Sequence, residues 1–260
     1  MKRAALVLGL LLNGAGTAGA ADLAGTLGWV QRAELGTLVS GVVSEVPVRV
    51  GQSVPAGAAL LRLDDRGFKA RVAETQAAVA KYQAHYAEAQ REDERALELY
   101  ERTVLSDHER QLAAIALQSA RSDLQTARAQ LTQARLDLER SAVLAPYAAV
   151  VLRVNAAPGQ VVVSELQSAP LVVVAEDGRM LAHALATADQ LRDVAVGMPA
   201  KVGVRDGWYD GQVAAVGLEA VADAVQGVAR YELAVTFDVP ADQRLRAGES
   251  ATLRLGESTP

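Results

Sequence analysis

From Phe68 onward, apolar and small residues recur in alternating steps of four and three: Phe68, Val72, Thr75, Val79, Tyr82, Tyr86, Ala89, then Asp93, Ala96 and Tyr100. Only Asp93 brings a charge into the series. A second series runs Ala113, Leu117, Ala120, Leu124, Ala127, Leu131, Ala134 and Leu138. Such spacing, sustained over heptad after heptad, predicts two helices that pack along a coiled-coil seam. The alanines of the second series let the backbones approach, and the Val and Tyr side chains of the first fill the space left.

Between the two series lies RALELYERTVLSDHE, residues 95–109. Thr103, Val104 and Leu105 are weaker helix formers than their neighbours. Ser106 and Glu109 then fit the S-x-x-E capping box that starts a new helix. Helices joined by so short a connection fold back antiparallel. At ~1.5 Å per residue, arms of about 35 residues extend roughly 50 Å. The rest of the chain is too small to cover such a hairpin, so it must meet solvent or another molecule.

On either side the pattern changes to short β-branched runs separated by Gly and Pro. Residues 36–65 and 144–178 share a grammar. Gly41-Val42-Val43 answers Ala149-Val150-Val151, Val46-x-Val48 answers Leu152-x-Val154, and Val50-Gly51-Gln52-x-Val54 answers Ala157-Pro158-Gly159-Gln160-Val161. Apolar strands at Ala59–Leu63 and Leu171–Val174 follow. This predicts an internal repeat, two half-sheets that pair into one small β-sandwich. Beyond residue 178, short runs with turns between them predict five or six strands of a small antiparallel β-barrel.

The expected architecture is elongated, mixed α and β. An antiparallel coiled-coil α-hairpin (66–142) is inserted in a split β domain (36–65 and 143–178), and a β-barrel (179–257) follows. Residues 21–35 are an N-terminal segment with no assigned element. Residues 1–20 read as a cleavable signal peptide: Lys2-Arg3, the apolar run 4–12, and Ala18-Gly19-Ala20 as an A-x-A site. That run is shorter than the ~20 residues a membrane span needs. The mature chain is therefore expected to be exported, in the periplasm, with no transmembrane helix.

Composition narrows the chemistry. The net charge is −5 and no basic patch with interleaved aromatics occurs, which argues against a nucleic-acid partner. With no cysteine there is no thiol chemistry. His85, His108 and His183 have no partners at ligand spacing, and the only methionines beyond residue 20 are Met180 and Met198. Asp64 and Asp65 suit a helix start. No catalytic residue, metal site or cofactor is assigned, and the chain is not expected to be an enzyme.

The paired halves resemble a lipoyl/biotinyl carrier domain split by a helical insertion. A carrier presents a lysine on the hairpin between its halves. Residues 36–65 contain none, so the fold is retained without the carrier chemistry. All the pieces in this order resemble the membrane fusion, or periplasmic adaptor, proteins of the HlyD/RND type. ERSAVLAPYAAVVLRVNAAPGQVV resembles the family's second-half signature, with Ala149 where glycine is usual. DVPADQRLRAGESATLRL resembles the closing barrel strand, with Gly248-Glu249 where a "GM" pair is common.

The resemblance implies an adaptor that bridges an inner-membrane transporter, RND type favoured, to a TolC-like outer-membrane channel. It also implies a homo-oligomer, a hexamer in the family. The family's channel-docking residues are an Arg, a Leu four later and a Ser seven after that, matched here by Arg95, Leu99 and Ser106. Each also has a plain structural reading: ion pairing of Arg95 with Glu92, Asp93 or Glu98, coiled-coil packing of Leu99, and N-capping by Ser106. A membrane-proximal domain built from both chain ends, common in RND-type adaptors, is expected to be absent or vestigial. Alternatives are an ABC-transporter or type I secretion adaptor, and a free periplasmic coiled-coil scaffold or binding protein.

Overall fold

The structure, a computed structural model, describes residues 22–166, 170–221, 228–240 and 243–256. The signal-peptide reading of residues 1–20 lies outside them. In chain order the elements are β1 (Leu23–Trp29), β2 (Arg32–Leu35), β3 (Gly41–Glu45), β4 (Ser53–Val54), β5 (Ala59–Leu63), α1 (Arg66–Glu101) and α2 (Asp107–Arg140). Then come β6 (Ala142–Leu144), β7 (Ala149–Val154), β8 (Val161–Val162), β9 (Val172–Glu176), β10 (Arg179–Thr187), β11 (Pro199–Val204), β12 (Gly207–Ala220), β13 (Arg230–Asp238) and β14 (Ser250–Leu255). They form two compact units: Gln31–Asp177, and the residues up to Val30 together with those from Gly178 on.

In the unit Gln31–Asp177, two four-stranded sheets run in the orders β2-β9-β7-β4 and β6-β5-β3-β8. Replacing each strand of the first half (β2 to β5) by its counterpart in the second (β6 to β9) converts one order into the other. The repeat read in the sequence is therefore a strand exchange. The structure differs from two half-sheets built one from each half, because each sheet takes two strands from each half: β2 and β4 pair with β9 and β7, and β6 and β8 with β5 and β3. The likeness reaches individual atoms. Gly51 and Gly159 both turn the chain at positive φ (82° and 86°), which a side chain would resist. The Gln52 carboxamide accepts from the Arg49 N–H at 3.0 Å, and that of Gln160 from the Ala157 N–H at 3.1 Å. One hydrophobic core, including Val43, Leu60 and Leu61 of one sheet and Val151, Val172 and Val174 of the other, is fully shielded from solvent.

The hairpin leaves this unit between β5 and β6, which are neighbours. Arg62 pairs with Ala142, and the Leu63 N–H donates to Ser141 C=O at 2.8 Å, so both arms start from adjoining strands. The arms have 36 and 34 residues. Thr75, Ala96, Leu124, Ala127 and Ala134, all members of the two periodic series, are buried between them. Thr75 is accommodated because its hydroxyl donates back to Arg71 or Val72 C=O, at 2.9 and 3.1 Å. At the start of α1, Asp65 is the N-cap but makes no side-chain capping bond. Asp64 does that work instead, accepting from the Arg66 N–H and guanidinium, which holds its carboxyl down at about 2 against an ordinary 3.8.

The other unit is a closed antiparallel barrel in the order β1-β10-β13-β12-β11-β14. The segment 21–35, without an element in the sequence reading, supplies the closing strand here, with β1 paired to β10 on one side and β14 on the other. It also supplies β2, which lies before residue 36 and pairs with β9 in the unit Gln31–Asp177. Leu23 and Leu27 of β1 point inward onto Val202, Leu233, Val235, Phe237 and Leu253. At Gly25 the strands come so close that a Cβ would lie 2.2 Å from the His183 carbonyl oxygen. Among the described residues, no helix is long and apolar enough to cross a membrane.

Candidate functional site

The closed end of the hairpin is assembled from two helix termini. At the end of α1, the Thr103 N–H donates to Tyr100 C=O at 2.8 Å and the Val104 N–H to Leu99 C=O at 2.9 Å. This is the Schellman arrangement, which needs a left-handed residue at the position of Thr103. Thr103 adopts it, with φ of 59°, although a β-branched side chain disfavours that conformation. Three residues later Ser106 opens α2 in extended conformation. Its hydroxyl accepts from the Glu109 N–H at 3.2 Å, and the Glu109 carboxylate accepts from the Ser106 N–H at 3.0 Å and from the Ser106 hydroxyl at 2.6 Å. These bonds to the charged form hold the Glu109 carboxyl below its ordinary value. Asp107 and Glu109 in the first turn also complement the positive end of the helix dipole.

The structure places two of the three proposed docking residues, Arg95 and Ser106, in local hydrogen-bond networks. Arg95 donates to Glu92 at 2.6 Å on the exposed face of α1, so of Glu92, Asp93 and Glu98 it is Glu92 that pairs with it. Leu99, one turn further along the same face, is half-buried. Ser106 is exposed, and its hydroxyl serves the capping box. Arg95 and Leu99 share a helix face. Ser106 lies across the turn on the other arm.

Two features escaped the sequence reading. Tyr100 is the last residue of the first periodic series, yet it is exposed, and the Arg110 guanidinium lies over its ring at 5.3 Å. This cation–π contact, with Arg110 also paired to Asp107 at 3.2 Å, ends the seam at the tip. The second is apolar exposure. Six large apolar residues of the hairpin are exposed, and five of them (Leu97, Tyr100, Val104, Leu112 and Ile115) lie between residues 97 and 115. Val104 is 71% exposed and Ile115 64%. The signal was available in principle: apart from Tyr100 these residues stand off the four-three series, so no partner helix could bury them.

Electrostatically the tip mixes paired charges, among them Arg95 with Glu92 and Arg110 with Asp107, with apolar ground. Among the described residues, no group of three or more His, Asp or Glu is arranged to hold a metal ion. What this arrangement can do is make contacts: apolar side chains for a groove, with hydrogen-bonding groups beside them.

No protein-family model matches the sequence, and no curated protein does. Solved structures do match. The membrane fusion protein Spr0693 from Streptococcus pneumoniae R6 superposes with a TM-score of 0.70 at 19% identity, covering 92% of this chain and 100% of that one. A MacA–MexA chimera carrying the Pseudomonas aeruginosa MexA α-hairpin domain gives 0.67 at 19% identity, over 90% of this chain and 78% of that one. The chain has the fold of a membrane fusion protein. ZneB from Cupriavidus metallidurans shares this fold at a TM-score of 0.52 and 24% identity, covering 91% of this chain and 98% of the other. The membrane fusion fold thus accounts for helices, sheets and barrel together, and within it the described tip is the closed end of the α-hairpin.

Proposed function

We infer that the chain is a non-catalytic periplasmic adaptor of a tripartite efflux system. In this reading the hairpin tip docks on a TolC-like outer-membrane channel, and the barrel unit engages an inner-membrane transporter of RND type. Copies of the chain associate in a ring, a hexamer by family resemblance. Residues 1–20 are the export signal. The strand-exchanged halves (36–65 and 143–178) are a lipoyl-like domain split by the hairpin (66–142), and 179–257 with the strand before residue 30 make the barrel.

The observation that carries the reading is the concentration of exposed apolar side chains at one end of the hairpin. Exposed patches of this kind on a soluble surface mark a protein contact. Leu99 adds a half-buried knob, and Arg95 a guanidinium that can leave Glu92 for channel carbonyls or carboxylates. That exchange is inexpensive, because both partners of the Arg95–Glu92 pair are more than half or half exposed (62% and 50%) and such pairs contribute only ~0.3–0.5 kcal/mol. No bond is made or broken in the proposed role; energy for transport comes from the inner-membrane partner.

The absence of native cysteine makes the test direct. A single cysteine replacing Val104 is expected to crosslink to an outer-membrane channel in intact cells. Arg95→Asp is expected to abolish export while leaving the circular-dichroism spectrum and melting unchanged. A tip cysteine that labels freely with no channel adduct, together with normal export by Arg95→Asp, refutes the docking role.

A further inference from the structure

On the outer wall of the barrel, between β1, β10 and β13, lies an open cleft of about 480 Å³. Thr26, His183, Leu185, Val221, Arg230 and Glu232 line it. Strand alternation explains the grouping: on β10 the inward positions Ala182 and Ala184 fill the core, so His183 and Leu185 face out. His183 lies over Gly28 of the next strand, where a Cβ would sit 3.0 Å from the imidazole Nε2. Glycine there gives the ring its place. From the other side Glu232 accepts from His183 Nδ1 at 2.6 Å, so this carboxylate is already engaged.

Arg230 is different. Its Nε–H is buried and has no acceptor, and among the described residues the guanidinium forms no ion pair. A buried donor of a charged group left without an acceptor is costly, and in native proteins it calls for an explanation such as a missing ligand. The cleft volume falls within the ~300–1,000 Å³ typical of small-molecule sites. Its walls carry exposed apolar surface: Leu185 is 38% and Val221 39% exposed.

We propose that this cleft binds an amphiphilic monocarboxylate, with Arg230 holding the carboxylate and Leu185 and Val221 the apolar body. A single unpaired guanidinium matches a single negative charge, and planar guanidinium–carboxylate geometry allows a paired contact. The nearby Glu232 disfavours a more highly charged anion such as a phosphate. The Thr26 hydroxyl is a second donor at the same wall. The site belongs to the barrel and does not depend on the role assigned to the hairpin tip.

Octanoate is a suitable probe, titrated into the exported chain while backbone amides and the Arg230 Nε–H are followed by nuclear magnetic resonance. Saturable shifts confined to β1, β10 and β13, with a downfield move of the Arg230 Nε–H, are expected. Arg230→Gln should weaken binding about tenfold or more, since a charge-assisted hydrogen bond is lost. Octanol, which lacks the carboxylate, should bind as weakly, and Leu185→Glu should abolish binding by charge repulsion. Both variants change outward-facing positions and leave the barrel core untouched, so folding is preserved. The proposal is overturned if octanol matches octanoate, if Arg230→Gln keeps full affinity, or if the shifts fall elsewhere. It is likewise overturned if octanoate fails and a short peptide with Glu beside Leu binds instead, which would make the cleft a protein-docking site.

Discussion

Ser106 has two possible employments, as helix cap and as channel contact, and they separate by substitution. Ser106→Ala removes the acceptor for the Glu109 N–H at 3.2 Å and the hydroxyl donor to the Glu109 carboxylate at 2.6 Å. The Ser106 N–H can still donate to that carboxylate, so half of the capping box persists. Loss of an N-cap serine costs ~1 kcal/mol. Because the tip opens locally, the cost appears in the first turns of α2 and leaves global melting nearly unchanged. Amide exchange for residues 109–113 should therefore speed up about fivefold in Ser106→Ala. Ser106→Asn, which caps as well as serine, should restore the slow exchange. If docking uses the hydroxyl itself, Ser106→Asn will nevertheless export poorly. Unchanged exchange in Ser106→Ala refutes the capping argument. Normal export by Ser106→Asn removes the hydroxyl from the docking surface and leaves serine a structural residue.

The same box gives a sign for pH. The Glu109 carboxyl is held below its ordinary 4.5, first by the Ser106 hydroxyl and then by the Ser106 N–H. Its contribution is thus complete above 4.5 and is lost as the pH falls through the depressed folded value. Tip protection should decline in acid in the native chain, and less so in Ser106→Ala. At the hairpin base, Arg66→Gln should return the Asp64 carboxyl from about 2 toward 3.8, read from its carboxyl-carbon resonance; an unmoved titration would mean that Arg66 is not its partner. In the seam, Ala134→Leu inserts bulk at a position only 4% exposed and should destabilise the hairpin by ~1–3 kcal/mol in denaturant melts. A neutral result would show the arms to be loosely packed there.

Much of the hairpin was decided by local sequence. The four-three series, the run Thr103–Leu105 and the Ser106–Glu109 box specify two helices and their turning point, since caps and heptads act over a few residues. The repeat between residues 36–65 and 144–178 was legible for the same reason: its turn chemistry is local, down to Gly51 with Gln52 and Gly159 with Gln160. What pairs with what was not. The crossing of β4 and β8 to the opposite halves joins residues about a hundred apart (Val54 with Ala149, Gly41 with Val162), and short strands carry no label for a distant partner. Likewise nothing local marks β1 as a strand, because its partners β10 and β14 lie more than 150 residues away and only closure of the barrel makes it one. The candidate docking residues Arg95, Leu99 and Ser106 were visible as a spacing. The engagement of Ser106 with Glu109 was legible as a capping box, whereas the choice of Glu92 by Arg95, the Tyr100–Arg110 contact and the bare Arg230 donor came only from the structure. Spacing along a chain gives the face a side chain occupies, whereas packing of distant segments determines which neighbours it finds and which it lacks.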